Sequence, residues 1–294
     1  MKRAVTLLNT GGGRVADGMA ASVKEALANA GIDSEIVPVD GKGCADCAAE
    51  QVRNGAELII AAGGDGTIGA VAGELAESKA TLGILPLGTL NHFARDLGIP
   101  AGLADAAKVI AEGEMRQVDL AEVNGRAFVN NASIGLYPLM VVDRDAQRER
   151  LGRSKRLAML VASLRTMTRF HARRLTLSTD GGEAQVDTPL LFVGNNDYRL
   201  AMPGAGRRES LGKGELCVMV MRSKSLPGFL AATARALLGI GRQDDMVRLE
   251  GVRELKVDSA RSQLTLAVDG ETLALAPPLT FRIRPKALRV IVPA

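Results

Sequence analysis

In residues 1–120, short apolar runs alternate with segments of helical spacing, and this alternation is the strongest indication of the fold. The strand-like runs are 4–9, 34–39, 58–62 and 81–87. Helical spacing of apolar residues follows them at 15–30, 45–54, 68–78, 91–97 and 102–114. Such alternation is typical of βαβ units around a parallel sheet. We therefore expect an α/β N-terminal domain of the Rossmann-like type.

From about residue 120 onward, short strand-like runs separated by turn signals replace this alternation. They are 121–135, 173–179, 188–195, 215–221, 254–258, 263–270 and 279–285, with helical insertions at 145–172 and 226–240. Many short strands with turns predict a β-rich antiparallel sandwich. At 294 residues the chain is long for one core. We expect two domains, 1–122 and 123–294.

The composition excludes some classes of function. Aromatic residues make up 3% of the chain and tryptophan is absent. Binding of single-stranded nucleic acid relies on aromatic side chains on which bases stack, so we expect no nucleic-acid partner. No apolar run approaches the ~18 residues of a membrane span, and the first apolar run is too short for a signal peptide. A cytoplasmic location is the expectation.

Residues 144–174 form a strongly basic segment, with ten Lys/Arg and two acidic residues. Its apolar residues share one helical face, which favours a helix packed on the sandwich with a solvated rim. The alternative is peripheral contact with an anionic membrane, which would place the protein at the inner membrane surface. Homodimer formation is left open.

The stretch LIIAAGGDGT (58–67) ends a strand-like run in a glycine-rich loop. Gly63, Gly64 and Gly66 allow backbone N–H groups to approach a phosphate without obstruction by a Cβ atom. The helix that follows adds its N-terminal dipole, with Thr67 as its cap or as a phosphate contact. Asp65 would repel phosphate unless it handles a metal ion or accepts a proton. The alternative is that Asp65 merely caps the helix.

A second loop of small residues, LPLGTLNHFAR (85–95), follows the next strand. Together with GGDGT, with Val118-Asp119-Leu120 and with Asp269-Gly270-Glu271, it makes the chain resemble the diacylglycerol kinase catalytic-domain family. That family includes bacterial lipid kinases and sphingosine kinases. The motifs occur in the family's order over essentially the whole chain. GGDG alone is shared with NAD kinases and phosphofructokinases.

The resemblance implies an ATP-binding α/β domain, with the fold that NAD kinase and phosphofructokinase share, and a second domain that receives a lipid. Residues 280–294 are expected to pack back on the first domain. The nucleotide would be contacted by Asn9, Gly63, Gly64, Asp65, Gly66, Thr67 and Thr89. Asp119 would join a network of Mg²⁺ and water, with Asp65 as a further metal candidate. Glu271 resembles the general base of bacterial members, and Asp65 is the other candidate.

The chain departs from the family pattern at three positions. Gly69 and Ala70 stand where an Asn and a Glu are common. Lys213, in SLGKGEL, stands where an aspartate holds a structural magnesium in relatives. An ammonium group cannot ligate Mg²⁺, although it could take the place of the ion.

The sequence therefore predicts a lipid kinase that uses ATP and Mg²⁺ to phosphorylate a hydroxyl of a lipid such as diacylglycerol. A carboxylate would accept the proton of the hydroxyl, which has a very high pKa. Two alternatives remain at this point. One is a soluble kinase of the NAD-kinase type, and the other is a catalytically weakened protein that binds nucleotide or lipid.

Overall fold

The computed structural model describes residues 4–11, 16–41, 43–136, 138, 172–198, 208, 210–238, 240 and 245–294. The basic segment 144–174, for which a packed helix and membrane contact are the two interpretations, lies outside these residues from 144 to 171. Two compact units are present. The first is Met1–Leu120, Arg126–Asn130 and Arg284–Ala294, and the second is Ala121–Gly125 and Asn131–Ile283. No helix in the described ranges is both long enough and apolar enough to cross a membrane.

The first unit alternates strands and helices, as predicted. Its strands are β1 (Ala4–Asn9), β2 (Ser34–Val39), β3 (Leu58–Gly63) and β4 (Thr81–Pro86). Its helices are α1 (Ala16–Asn29), α2 (Cys44–Arg53), α3 (Asp65–Leu75), α4 (His92–Asp96) and α5 (Leu103–Glu112). Strand β5 (Glu114–Val123) ends this run of the chain, and β6 (Arg126–Phe128) follows the turn at Asn124 and Gly125. Both turn residues have positive φ, as a tight hairpin turn requires.

Four strands of the first unit are neighbours in the order β2-β1-β3-β4, and each of these three pairs is parallel. Because the strands are parallel, their carboxyl ends lie at one edge. Gly63, which ends β3, pairs with Pro86, which ends β4. Residues 59–62 of β3 have no exposed surface, as expected for a strand covered on both faces. The loops that follow β1, β3 and β4 therefore begin side by side.

Helix α3 begins at Asp65, three residues before the predicted start at residue 68. Gly64 is the N-cap, with extended backbone at φ −91° and ψ −176°. Thr67 is therefore not the cap, which corrects one of the two roles expected for it. The early start puts Asp65, Gly66 and Thr67 in the first helical turn, where backbone N–H groups have no partner within the helix.

The second unit is built mainly of antiparallel strands, which confirms the predicted fold class. Its elements are β7 (Asn131–Gly135), β8 (Arg173–Thr179), β9 (Gly182–Thr188), β10 (Leu190–Asn195), β11 (Leu216–Met221), α6 (Leu226–Leu237), β12 (Met246–Val252), β13 (Glu254–Asp258), β14 (Leu264–Val268), β15 (Glu271–Leu275) and β16 (Leu279–Val292). One sheet has the order β12-β11-β10-β7-β14-β15. Residues 279–282 of β16 pair with β13, which pairs with β8, which pairs with β9. Residues 284–292 of β16 belong to the first unit, where Val290 pairs with Leu82.

Candidate functional site

The loops after β3 and β4 contact each other through their glycines. A Cβ atom added to Gly88 would lie 2.5 Å from the Cα atom of Gly64, which is closer than real Cβ contacts allow. The backbone N–H of Leu87 donates to the carbonyl of Gly63 at 2.9 Å. The two small-residue stretches found in the sequence thus form one continuous backbone surface. Thr89 is exposed in the second of these loops.

Thr67 and Asn9 are brought together at this edge of the sheet. The side-chain nitrogen of Asn9 donates to the Thr67 hydroxyl at 2.7 Å, and the side-chain oxygen Oδ1 of Asn9 accepts from the backbone N–H of Gly11 at 2.9 Å. Because the hydroxyl of Thr67 accepts from Asn9, its own proton can be donated to another group. A Cβ atom on Gly63 would lie 2.5 Å from that hydroxyl oxygen. Glycine at 63 is therefore what allows Thr67 to lie over the end of β3.

The N-terminus of α3 has the properties of a phosphate site. Its cap, Gly64, makes no side-chain hydrogen bond to the first turn. The first N–H groups and the helix dipole both favour an anion at such a position. The Thr67 hydroxyl lies in the same first turn. Phosphate binding by this loop stays a prediction at this point.

The carboxylate of Asp65 ties the first loop to the second. Its Oδ2 accepts from the backbone N–H of His92 at 3.0 Å, and its Oδ1 accepts from that of Phe93 at 3.1 Å. The side-chain amide of Asn130 also donates to Oδ1, at 3.3 Å. Asp65 thus supplies the charged acceptor at the start of α4. These contacts explain why an aspartate stands beside a phosphate loop, because its carboxylate positions the start of α4. Its role in binding a metal ion or accepting a proton stays a prediction.

We expect Asp65→Asn to lower the free energy of unfolding by about 1–3 kcal/mol, because charge-assisted bonds to two backbone N–H groups are lost. Urea unfolding measures the change. Asp105→Asn is the matched control, since Asp105 is an exposed carboxylate in the first turn of α5. If Asp65→Asn has the wild-type free energy of unfolding but no turnover, the carboxylate acts in the chemical step and not in positioning the loops.

Two buried or constrained asparagines complete the loops, and neither was singled out from the sequence. Asn91 has φ 47°, and its side-chain oxygen Oδ1 accepts from the backbone N–H of Gly88 at 3.0 Å. Its amide donates to the carbonyls of Pro86 and Gly88 at 3.1 and 2.9 Å. Asn130 is 4% exposed. An asparagine inside the apolar run FVNNASIG was the available signal for the second.

Asp119 is 1% exposed, and its Oδ1 accepts from the backbone N–H of Lys286 at 2.8 Å. Within the described ranges, no cluster of three or more His, Cys, Asp or Glu could hold a metal ion. Mg²⁺ in nucleotide sites uses one or two carboxylates together with phosphates and water. Both oxygens of Asp65 already accept backbone N–H groups and Asp119 is buried, so the roles of these two carboxylates as Mg²⁺ ligands stay a prediction.

Glu271 lies at the first position after a two-residue turn in the second unit. Asp269 and Gly270 have φ of 47° and 85°, as a type I′ hairpin requires, and Val268 pairs with Glu271. Asp269 attaches this hairpin to β7. Its carboxylate accepts from the N–H of Asn131 at 3.1 Å, and its own N–H donates to the Asn131 carbonyl at 2.9 Å. The exposed Glu271 side chain is therefore carried on a fixed turn.

Lys213 occupies the position where the resemblance places a metal-binding aspartate. Its ammonium nitrogen lies 3.4 Å from Glu215 Oε2 and 3.7 Å from Asp197 Oδ2. The hydrogen bond and charge of Glu215, with the charge of Asp197, raise the pKa of Lys213. Arg248 also pairs with Asp197. The residues present do not fit a divalent cation here, because the chain itself supplies the positive charge.

We expect removal of metal ions with EDTA to leave the melting temperature of the wild-type protein unchanged. We expect Lys213→Met to lower the free energy of unfolding by at most about 1 kcal/mol, since the pair is half exposed. The raised pKa means that this contribution is complete below the unfolded pKa of lysine and is lost only as the pH rises through the folded pKa. Lys224→Met, which removes one ion pair to Asp187, is the control. A melting temperature that falls in EDTA would contradict the assignment.

Two family models match the chain. The diacylglycerol kinase catalytic domain matches residues 3–123, and the YegS C-terminal NAD kinase beta sandwich-like domain matches residues 139–292. A solved structure of a putative diacylglycerol kinase from Bacillus anthracis superposes with a TM-score of 0.76. The superposition covers 99% of this chain and 97% of that one at 24% identity, which shows a shared fold.

Curated relatives agree with the family models. A diacylglycerol kinase of Bacillus subtilis is 30% identical over 284 residues, covering 94% of this chain and 92% of the relative. A probable YegS-like lipid kinase of Pseudomonas aeruginosa is 32% identical over 253 residues, covering 83% and 80%. The motifs quoted from the sequence, the α/β and antiparallel units and these matches lead to one conclusion. The chain belongs to the diacylglycerol kinase catalytic-domain family of lipid kinases.

Proposed function

We propose that this chain transfers the γ-phosphoryl group of ATP to a hydroxyl of a lipid such as diacylglycerol. The observation that carries the proposal is the backbone contact between Gly64 and Gly88, beside the N-terminus of α3 that lacks a side-chain cap. It supports a phosphate cradle formed by two adjacent loops. The names of the relatives, diacylglycerol kinase and lipid kinase, support a lipid as the acceptor.

Residues 1–122 hold the nucleotide in this proposal, and residues 123–294 receive the lipid. The N–H groups of Gly63–Thr67 and the hydroxyls of Thr67 and Thr89 bind phosphate oxygens. Asn9 orients the Thr67 hydroxyl through the 2.7 Å hydrogen bond. Asp65 keeps the two loops in register by its bonds to the start of α4. Positioning of this kind is most of what an enzyme contributes to phosphoryl transfer.

Glu271 is the general base of the proposed reaction. The lipid oxygen forms a bond to the γ-phosphorus, the bond from that phosphorus to the β–γ bridging oxygen breaks, and the hydroxyl proton passes to the Glu271 carboxylate. Asp269 supports Glu271 by holding the hairpin turn against Asn131. A Mg²⁺ ion bound with ATP, held by Asp65 and Asp119, would neutralise phosphate charge.

Transfer of label from γ-labelled ATP tests the proposal on a panel of acceptors: diacylglycerol, a sphingoid base, phosphatidylglycerol, a polyprenol and NAD⁺. We expect label on one or more of the lipids and none on NAD⁺. Label on NAD⁺ alone would establish the NAD-kinase alternative. Binding of ATP with no turnover on any acceptor would establish a binding or regulatory protein.

A further inference from the structure

Helix α6 presents an exposed face that consists of apolar residues. Five of its exposed positions follow the spacing i, i+3, i+4, i+7 and i+11, which is one stripe of a helix. They are Pro227, Leu230, Ala231, Ala234 and Leu238, and together they are called the α6 stripe. Leu238 lies just beyond the helix, but its N–H donates to the carbonyl of Ala234 at 3.0 Å and so continues the helical pattern.

This arrangement reverses that of an ordinary surface helix, whose exposed face carries polar and charged residues. Leu238 is 72% exposed and Leu230 is 39% exposed. Ile240, which follows the stripe, is 62% exposed. Of the large hydrophobic residues exposed within the described ranges, these three lie in one segment of eleven residues, and the others are Leu90 and Met115. Concentration in one patch marks an interaction surface.

The orientation of α6 is held by residues outside the stripe. Ala232 is 3% exposed. Arg235 pairs with Asp245 through two nitrogens, one of them Nε at 2.8 Å from Oδ2, and both side chains are mostly buried. A bidentate pair of this kind specifies direction as well as distance. The helix therefore cannot turn its stripe inward without breaking this pair.

The charge around the stripe favours an anionic partner. Residues 222–245 contain four basic residues, Arg222, Lys224, Arg235 and Arg242, and two acidic residues, Asp244 and Asp245. Lys224 and Arg235 are paired with Asp187 and Asp245. Arg222 is exposed in the segment that precedes α6. Apolar residues on one face with basic residues beside them are typical of helices that lie in the interface of an anionic bilayer.

We propose that the α6 stripe is a surface by which this protein lies on an anionic lipid bilayer. The choice of a bilayer rests on the proposed function, because a lipid acceptor is held in a membrane and the enzyme has to reach it there. A second copy of the chain suits the stripe less well. A stable interface takes about 20–30 residues a side, and the stripe with Ile240 offers six. This surface is separate in sequence from the basic segment 144–174.

Sedimentation with vesicles measures the contact directly. We expect Leu230→Gln/Leu238→Gln to lower the partition coefficient of the full-length protein onto phosphatidylglycerol-containing vesicles about tenfold or more, because two apolar side chains no longer enter the bilayer. Met115→Gln is the matched control, since Met115 is 54% exposed in the first unit. Its partition coefficient should equal that of the wild type. Equal binding of the double variant and the wild type would overturn the proposal.

Fluorescence supplies a second measurement that does not depend on sedimentation. The chain contains no tryptophan, so Leu238→Trp adds a single reporter within the stripe. Its emission should shift to shorter wavelength when phosphatidylglycerol vesicles are added, and the emission of Met115→Trp should not. An unchanged spectrum of Leu238→Trp on vesicles that have bound the protein would place the contact elsewhere.

The outcomes separate this inference from the proposed function. The double variant should phosphorylate a dispersed short-chain diacylglycerol at the wild-type rate and lose activity on vesicles. Vesicle binding through the stripe without turnover on any lipid would support the proposed membrane surface and contradict the proposed function. Equal turnover of the double variant and the wild type on vesicles would support the proposed function and contradict the proposed membrane surface. A wild-type dimer that the double variant converts to monomers, with vesicle binding unchanged, would assign the stripe to a second copy.

Discussion

Glu271→Gln is expected to lower kcat by a factor of about 10²–10⁴, which is the contribution typical of a general base. Glutamine keeps the size of the side chain and cannot accept the proton of the lipid hydroxyl. The turn that carries residue 271 is held by Asp269 and Asn131, so the change should not disturb the hairpin. Initial rates with labelled ATP measure the effect.

Two controls distinguish loss of the base from loss of structure. The dissociation constant for ATP and the melting temperature of Glu271→Gln should match those of the wild type. Glu250→Gln replaces an exposed carboxylate on β12, in the same antiparallel sheet, and should keep full activity. A wild-type rate for Glu271→Gln would show that another group accepts the proton, with Asp65 as the remaining candidate.

Gly88→Ala is expected to weaken ATP binding by a factor on the order of 10–100, because it separates the two loops of the phosphate cradle. The added Cβ atom would lie 2.5 Å from Gly64 Cα and 2.6 Å from the side-chain oxygen of Asn91. A backbone neighbour can move aside only if the loop itself moves. The free energy of unfolding should fall by about 1–3 kcal/mol as well.

Gly18→Ala is the matched control for the glycine prediction. A Cβ atom at Gly18, in α1, would have no neighbour within 4 Å. Alanine there should leave ATP binding unchanged and raise the free energy of unfolding by up to about 1 kcal/mol, through its better helix propensity. Isothermal titration with ATP and urea unfolding serve for both variants. Tight ATP binding by Gly88→Ala would show that the contact between the loops does not form the nucleotide site.

Much of the fold could be predicted from the sequence because the relevant signals are local. The alternation of apolar runs with helical spacing predicts the parallel sheet of β1–β4. Each apolar run by itself indicates that its residues are buried. The Asp269-Gly270 and Asn124-Gly125 pairs indicate tight turns for a similar reason, since the required positive φ belongs to the turn residues themselves. Helix α3 begins three residues before its predicted position, because the apolar pattern carries no signal for the extended backbone of Gly64.

The two kinds of domain, the glycine loops after β3 and β4 and the resemblance of the motifs to one family can all be recognised in the amino-acid sequence. The contacts of the polar side chains in those loops appear only in the folded chain. Asp65 bonds to His92, 27 residues away, and to Asn130, 65 residues away. The outward direction of the α6 stripe likewise depends on the pair between Arg235 and Asp245. Backbone pattern is read from neighbouring residues, whereas the partners of a charged group are chosen only when distant segments pack together.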